Sequence, residues 1–279
     1  MMQNDFLVKI KKELYNYRNI TEDLADYIIE VIKEDKEKHL LPAILKGNKR
    51  KEIWERIDYQ IKKASNITKL SIVDLLKALD FHSKDKTFSK LEAMFAELRT
   101  IFFLADFNLY DIMPLKAKNK KNEKSADFIA KGNSHKYVIE VFCKISKELK
   151  DMIEISRKTS KEGLKELSRK FKLAKKPDTG ESDLLQYYIC KAGKKKQQLD
   201  DTAKKYLCDK NIMVMVLNDL NIWRTLNCCE YIKILKEIST ELDWGCNYHF
   251  AILTGVLDLL NDIVDNVIYP PIKKNFGSY

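Results

Sequence analysis

The chain has 279 residues, of which 45% are apolar and 33% charged, a composition typical of a globular protein that buries its own core. With only 8 Gly and 5 Pro, and with neither a G-x-G-x-x-G nor a G-x-x-x-x-G-K-[ST] sequence, it lacks the glycine-rich loops of Rossmann and P-loop nucleotide sites. The 51 basic and 41 acidic residues leave a net charge of +10, which fits either a polyanionic partner or a lysine-rich solvated surface.

The sequence shows no targeting or membrane segment. No apolar run approaches the roughly 18 residues that a membrane helix needs, and the first residues lack the apolar stretch of a signal peptide. None of the six cysteines forms a C-x-x-C pair, so the pattern favours reduced thiols over disulfides and does not support a cysteine zinc site. We therefore predict a cytoplasmic protein that does not associate with membranes.

Residues 1–85 have the pattern of an all-helical region. Phe6, Ile10 and Leu14 recur at helical spacing, and Thr21 begins a second amphipathic helix. Further helices are predicted over 50–64 and 72–80, before a polar break at residues 83–86. This N-terminal region carries no cluster of catalytic residue types, and we predict a boundary between it and a second domain over 86–279.

The second region alternates between helical and strand patterns, which predicts an α/β domain. A strongly apolar helix comes first, a turn at Gly132 joins two strands into a hairpin, and a basic helical insertion occupies about residues 146–183. The predicted elements are helices over 88–105, 184–206 and 230–242, and strands over 108–114, 126–130, 135–145, 211–218 and 248–257.

The basic charge is concentrated in the middle of the chain. Residues 144–176 contain 12 Lys or Arg against five Asp or Glu. Because this stretch directly follows a predicted strand, its first turns must lie near the end of that strand. We predict a nucleic-acid contact there through Lys158, Lys161 and Lys165, with a solvated helical face as the alternative.

Two acidic residues occupy strand positions where a carboxylate is costly. Asp127 begins one strand of the hairpin, and Glu140 lies between the apolar Ile139 and Val141 in the other. A buried carboxylate needs a partner or a metal, and a divalent cation relieves the repulsion between two neighbouring carboxylates. We predict that Asp127 and Glu140 share one cation; the alternative is an edge strand with Glu140 facing solvent.

Four short motifs, in this order, resemble those of the PD-(D/E)XK nuclease, or restriction-endonuclease-like, superfamily. They are A-E-L-R at 96–99, S-A-D-F at 125–128, I-E-V at 139–141 and K-K-Q-Q-L at 195–199, the last just before the strand over 212–217. The resemblance covers about residues 88–257. It implies a mixed central sheet flanked by helices and metal-dependent hydrolysis of phosphodiester bonds, with DNA favoured over RNA.

The resemblance also implies roles for these residues. Asp127, Glu140 and the main-chain carbonyl of Val141 would hold one Mg²⁺ or Mn²⁺, and Glu97 would complete the site. Gln198 would hydrogen-bond the site or the substrate. Glu92 is the rival of Glu97, but it lies about 140° away around the helix, so the two would not point inward together.

The sequence departs from the family pattern at two positions. Ala126 replaces the proline of the PD pair, and Phe142 stands where the family has the lysine that orients the attacking water. Lys144, on the same strand face, and Lys195, on the following helix, are the two candidates to replace that lysine. Three hypotheses therefore remain: an active nuclease, a catalytically inactive nucleic-acid-binding protein of nuclease-like fold, and a scaffold that works through its N-terminal helices. Whether the protein forms a homodimer is also left open.

Overall fold

The computed structural model describes residues 2–33, 50–79, 88–115, 125–132, 134–145, 180–218, 228–254 and 266–272. Within these residues, helices and strands are both present from Phe88 onward, as in an α/β protein. The helices are α1 Met2–Leu14, α2 Glu22–Lys33, α3 Arg50–Thr68, α4 Ile72–Ala78, α5 Phe88–Asp106, α6 Gly180–Tyr206 and α7 Cys228–Leu242. The strands are β1 Tyr110–Pro114, β2 Phe128–Lys131, β3 Lys136–Ile145, β4 Lys210–Asn218, β5 Tyr248–Thr254 and β6 Asn266–Tyr269.

The described strands form one mixed six-stranded sheet in the order β1-β2-β3-β4-β5-β6. The first three strands pair antiparallel, β3, β4 and β5 run parallel, and β6 pairs antiparallel with β5. Residues 211–217 of β4, the apolar I-M-V-M-V-L run among them, are all buried, as expected of a parallel strand covered on both faces. The predicted α/β class is confirmed.

Side-chain alternation along β3 separates two layers of core. Ile139 packs on the α5 side of the sheet, while Val138 and Phe142 pack on the side covered by α6 and α7. Because successive side chains of a strand point to opposite faces, Glu140 faces the α6 side together with its i±2 neighbours.

The N-terminal helices extend the core on the α5 side. Apolar residues of α1 to α4, such as Leu24, Trp54 and Leu75, belong to the same buried cluster as those of α5 and one face of the sheet. The described residues before 80 are helical apart from short turns, as the pattern predicted. The predicted boundary near residue 85 lies outside the described residues and stays a prediction. None of the described helices is long and apolar enough to span a membrane.

The structure differs from the predicted elements mainly near the C-terminus and at the start of α6. Strand β6 was not predicted, because its four residues, N-V-I-Y, are too few to show a period and are followed by Pro270. Helix α6 begins at Gly180, four residues before the predicted start. Residues 146–179, most of the predicted basic insertion, lie outside the described residues.

Candidate functional site

The buried carboxylate of Glu140 is the centre of the candidate site. Its side chain is 1% exposed in the middle of β3. Lys195 Nζ donates to Glu140 Oε1 at 2.5 Å, and Gln198 Nε2 donates to Glu140 Oε2 at 3.0 Å. Each carboxylate oxygen therefore has a donor from α6, which is how a buried charge becomes tolerable. The alternative in which Glu140 faces solvent on an edge strand is wrong, since β3 lies between β2 and β4.

Asp127 is fixed to the middle of β3 by its backbone and its side chain. Its N–H donates to the Ile139 carbonyl at 3.0 Å, and its carboxylate Oδ2 accepts from the Val141 N–H at 2.7 Å. Its own carbonyl accepts from the Leu115 N–H at 2.8 Å, next to the end of β1. The carboxylate of Asp127 is thus held against the segment of β3 that contains Glu140.

Helix α6 presents three polar side chains to this site from one face. Lys195, Gln198 and Thr202 are spaced by three and four residues, which places them in a row on a helix. Gln198 Nε2 also donates to the Ser125 carbonyl at 2.5 Å, and Thr202 Oγ1 accepts from the Ala126 N–H at 3.0 Å. These bonds tie α6 to the two residues just before Asp127 and so fix the distance between the helix and the carboxylates.

The electrostatics of the site favour a bound proton or a bound cation. Burial, followed by the charge of Asp127, raises the pKa of Glu140 to about 8, although Lys195 opposes the shift. Burial also raises the pKa of Asp127 to about 6, against the opposing effects of the Val141 N–H and Lys195. The buried carboxylate of Glu140 and the half-buried carboxylate of Asp127 face one ammonium, so ionising both leaves an excess negative charge that a cation would neutralise.

Phe142 occupies the position of β3 where the superfamily that the motifs resemble has a lysine. Its ring is 9% exposed and contacts Tyr188 edge-on, with ring centroids 5.2 Å apart, and Tyr187 at 6.4 Å. A lysine at this position would bury its ammonium among aromatic rings. Of the two candidate replacements, Lys195 contacts Glu140, whereas the Lys144 side chain lies outside those that the structure describes.

Glu97 lies on α5, on the opposite side of the sheet from α6. Its neighbours Ala96 and Leu98 are buried in the α5-side core, and Glu97 itself is half-buried. Among the described residues, no group of three or more His, Cys, Asp or Glu side chains is placed to hold a metal ion together. The structure therefore brings together Asp127 and Glu140 as a pair, and a role for Glu97 stays a prediction. The Glu92 side chain lies outside the described residues.

The remaining predicted contacts, Lys158, Lys161 and Lys165, also lie outside the described residues. Thr202, by contrast, is a site residue that sequence reasoning missed. Its position seven residues after Lys195 and four after Gln198 is the signal that would have found it, because this spacing places all three on one helix face.

Comparison of the chain with protein-family models, with curated proteins and with solved structures finds no match.

Proposed function

We propose that the protein is a metal-dependent nuclease that hydrolyses phosphodiester bonds, with DNA as its substrate. The observation that carries the proposal is the meeting of Asp127, Glu140, Lys195 and Gln198, which come from three separate motifs of the chain. If Glu140 had only a structural role, a second carboxylate beside it would bring no advantage, because a neighbouring like charge raises the cost of burying the first.

The topology supports a restriction-endonuclease-like fold for this region. A helix, three antiparallel strands, a helix and a fourth strand parallel to the third follow one another as α5, β1–β3, α6 and β4. This is the order in which the resembling motifs occur, from the A-E-L-R helix to the strand after K-K-Q-Q-L. In this protein the carboxylates of Asp127 and Glu140 lie on the side of the sheet that α6 covers.

The donor set fits Mg²⁺ or Mn²⁺. These ions prefer oxygen ligands, and Asp127 and Glu140 supply two carboxylates. The Val141 N–H points to Asp127, and the carbonyl of a strand residue points to the same side as its N–H, so the Val141 carbonyl would supply a third oxygen. A bound ion of this kind would polarise a phosphate oxygen and lower the pKa of a coordinated water.

Lys195 and Gln198 then have distinct tasks. The Lys195 ammonium has three N–H donors. One donates to Glu140 Oε1, and another donates to Gln198 Oε1 at 3.4 Å. Its third donor and its charge are available to orient a water and to offset negative charge that develops on the phosphate. Gln198 bridges Glu140 and the Ser125 carbonyl, so it sets the orientation of the Glu140 carboxylate.

Basic residues near Lys195 support a polyanionic substrate. Lys191 and Lys194 precede it on α6; Lys194 is exposed, and the Lys191 ammonium lies over the Tyr187 ring at 5.6 Å. These two lysines precede Lys195 by four residues and by one residue, about 6 Å and about 1.5 Å along the helix axis, so their charges would attract phosphate groups to this end of the site.

A cleavage assay tests the proposal directly. Single- and double-stranded DNA and RNA of the same sequence are incubated with the protein in Mg²⁺, in Mn²⁺ and in EDTA. We expect cleavage of DNA that needs the metal and that is lost in both Asp127→Asn and Glu140→Gln. Asp201→Asn, an exposed carboxylate on α6 bonded only to Gln197 among the described residues, is the matched control and should cleave like the wild type.

The inactive nucleic-acid-binding protein is the second candidate, and one observation favours it. The Lys195 ammonium already pairs with Glu140 at 2.5 Å, so the chain itself supplies a positive charge at the carboxylates, and β3 has no lysine at position 142. This candidate predicts DNA binding that weakens with salt and is unchanged in Glu140→Gln, with no cleavage in any metal.

A further inference from the structure

Asp127 belongs to a short segment, residues 125–127, that lies just before β2 and outside the strands. The backbone of Asp127 bonds to β3, but the bonds that Ser125 and Ala126 make to the rest of the described structure go to α6. The position of this segment therefore depends on individual side chains of the helix. Any of them that holds the segment also determines where the Asp127 carboxylate lies.

Thr202 holds Ala126 by a hydrogen bond whose direction is fixed. The Thr202 side chain is buried, and its Oγ1 donates to the Gln198 carbonyl at 2.7 Å, one turn earlier on α6. A hydroxyl has one proton, so Oγ1 can only accept from the Ala126 N–H, at 3.0 Å. Ala126 is 1% exposed, and a buried N–H needs an acceptor, which Thr202 supplies.

Thr202 acts on Asp127 through the backbone. Ala126 and Asp127 share a peptide unit, so a shift of Ala126 away from α6 moves the next residue with it. The Asp127 carboxylate accepts from the Val141 N–H at 2.7 Å, and this bond reports where the carboxylate lies relative to β3. Loss of the Thr202 hydroxyl should therefore disturb the bond between Asp127 and Val141.

We propose that Thr202 is a positioning residue, whose hydroxyl sets the place of the Asp127 carboxylate and thereby the affinity of the site for Mg²⁺ or Mn²⁺. For the metal itself, the inference rests on the proposed function. Metal–ligand distances are kept to within about 0.2 Å, so a small displacement of one carboxylate weakens binding. Loss of a residue that orients a ligand costs about ten- to a hundredfold in metal affinity.

Three variants separate the hydroxyl from packing. Thr202→Val keeps the shape of the side chain but leaves the Ala126 N–H without its acceptor, whereas Thr202→Ser keeps the hydroxyl and removes a methyl group. Thr100→Val is the matched control. Thr100 is buried on α5, on the other side of the sheet, and its Oγ1 donates to the Ala96 carbonyl at 2.9 Å, the same bond within a helix that Thr202 makes.

Isothermal titration calorimetry with Mn²⁺ at pH 8 measures the consequence for metal affinity. We expect Thr202→Val to weaken Mn²⁺ binding about tenfold or more, and Thr202→Ser to stay within about threefold of the wild type. Thr100→Val should bind Mn²⁺ like the wild type, because it leaves the segment before β2 untouched.

Amide hydrogen exchange in EDTA gives a second measurement that needs no metal. In Thr202→Val the Val141 amide should exchange about tenfold faster relative to the Val214 amide, which lies in the middle of β4 between two paired strands. The ratio of the two rates cancels any change in global stability. It should keep its wild-type value in Thr202→Ser and in Thr100→Val.

The two measurements separate this inference from the proposed function. A wild type that does not bind Mn²⁺ would refute the metal site, and the exchange ratio alone would then decide whether Thr202 positions Asp127. If the wild type binds Mn²⁺, equal affinity in Thr202→Val and Thr100→Val would overturn the inference and leave the metal site in place. An exchange ratio that Thr202→Val leaves unchanged would also overturn it.

Discussion

The two faces of β3 differ in what they bury. On the α5 side, Ile139 is fully buried in an apolar core that continues into the N-terminal helices. On the α6 side, the next residue, Glu140, is as deeply buried but needs Lys195 and Gln198 to satisfy it. Both faces stabilise the fold by removing apolar area from water, but the α6 side also accepts a charge whose burial costs free energy. The second face is where we place the chemistry.

The largest effect on stability should come from the apolar face. Ile139→Ala removes a fully buried side chain between two covered layers, and we expect the free energy of unfolding to fall by about 2–5 kcal/mol. Glu140→Gln, at the adjacent residue, keeps the shape of a carboxyl that is largely protonated at pH 7 and leaves a partly exposed Lys195, so the loss should be under about 1 kcal/mol. Urea unfolding at pH 7 in EDTA measures the free energy of unfolding of both variants. A larger loss in Glu140→Gln than in Ile139→Ala would contradict this difference between the two faces.

The carboxylates on the α6 side should also make the stability of the protein depend on pH. The pKa values of Glu140 and Asp127 are raised by folding, so the native state binds more protons than the unfolded state below about pH 8. In EDTA, stability should therefore fall as the pH rises from about 5 to 8, by up to roughly 1.4 kcal/mol per pH unit for each proton released.

Glu140→Gln is the control for this slope. It removes the group with the higher pKa, so the slope between about pH 6 and 8 should flatten in this variant. Saturating Mn²⁺ should also reduce the slope in the wild type, because metal binding favours the deprotonated carboxylates. A wild-type slope that Glu140→Gln leaves unchanged would place the titration elsewhere.

Lys195 should contribute to stability mainly through Glu140. Lys195→Met leaves a buried carboxylate without its ammonium; a complete break of a buried pair costs about 3–5 kcal/mol. Lys195 is 36% exposed and Glu140 can take up a proton, so we expect about 1–3 kcal/mol at pH 8. In the Glu140→Gln background the same change should cost less than about 0.5 kcal/mol, which a double-mutant cycle measures. Equal costs in both backgrounds would contradict the coupling.

The smallest effect is expected for an exposed carboxylate on the same helix. Asp201 is exposed and accepts a hydrogen bond from Gln197 Nε2 at 2.8 Å. Asp201→Asn should change the free energy of unfolding by no more than about 0.5 kcal/mol and leave its pH slope intact. A change as large as that of Lys195→Met would mean that charge on α6, rather than burial at Glu140, controls stability.

The sequence predicted the elements of the fold wherever a periodic pattern was long enough. The helix over 88–105 and the strands over 135–145 and 211–218 are each within two residues of α5, β3 and β4. Strand β6 was missed because four residues carry no period. The pairing of β6 with β5 depends on tertiary contacts that no local pattern encodes.

The site was predicted in part for a similar physical reason. Asp127 and Glu140 were identifiable because a carboxylate in an apolar strand needs an explanation. The lysine that contacts them could not be identified, because whether a side chain of α6 reaches β3 depends on how the helix packs against the sheet. Phe142 fills the α6 side of β3 with an aromatic ring, and Lys195 reaches Glu140 from the facing helix.

The most direct test of the account is divalent cation binding at the carboxylate pair of Asp127 and Glu140. Isothermal titration calorimetry with Mn²⁺ at pH 8 should show one saturable site in the wild type and in Asp201→Asn, and none in Asp127→Asn or Glu140→Gln. Proton release on binding, measured from the dependence of the heat on the buffer, should accompany it, since Glu140 is partly protonated at this pH. Mn²⁺ binding of equal affinity and stoichiometry in all four proteins would contradict the account.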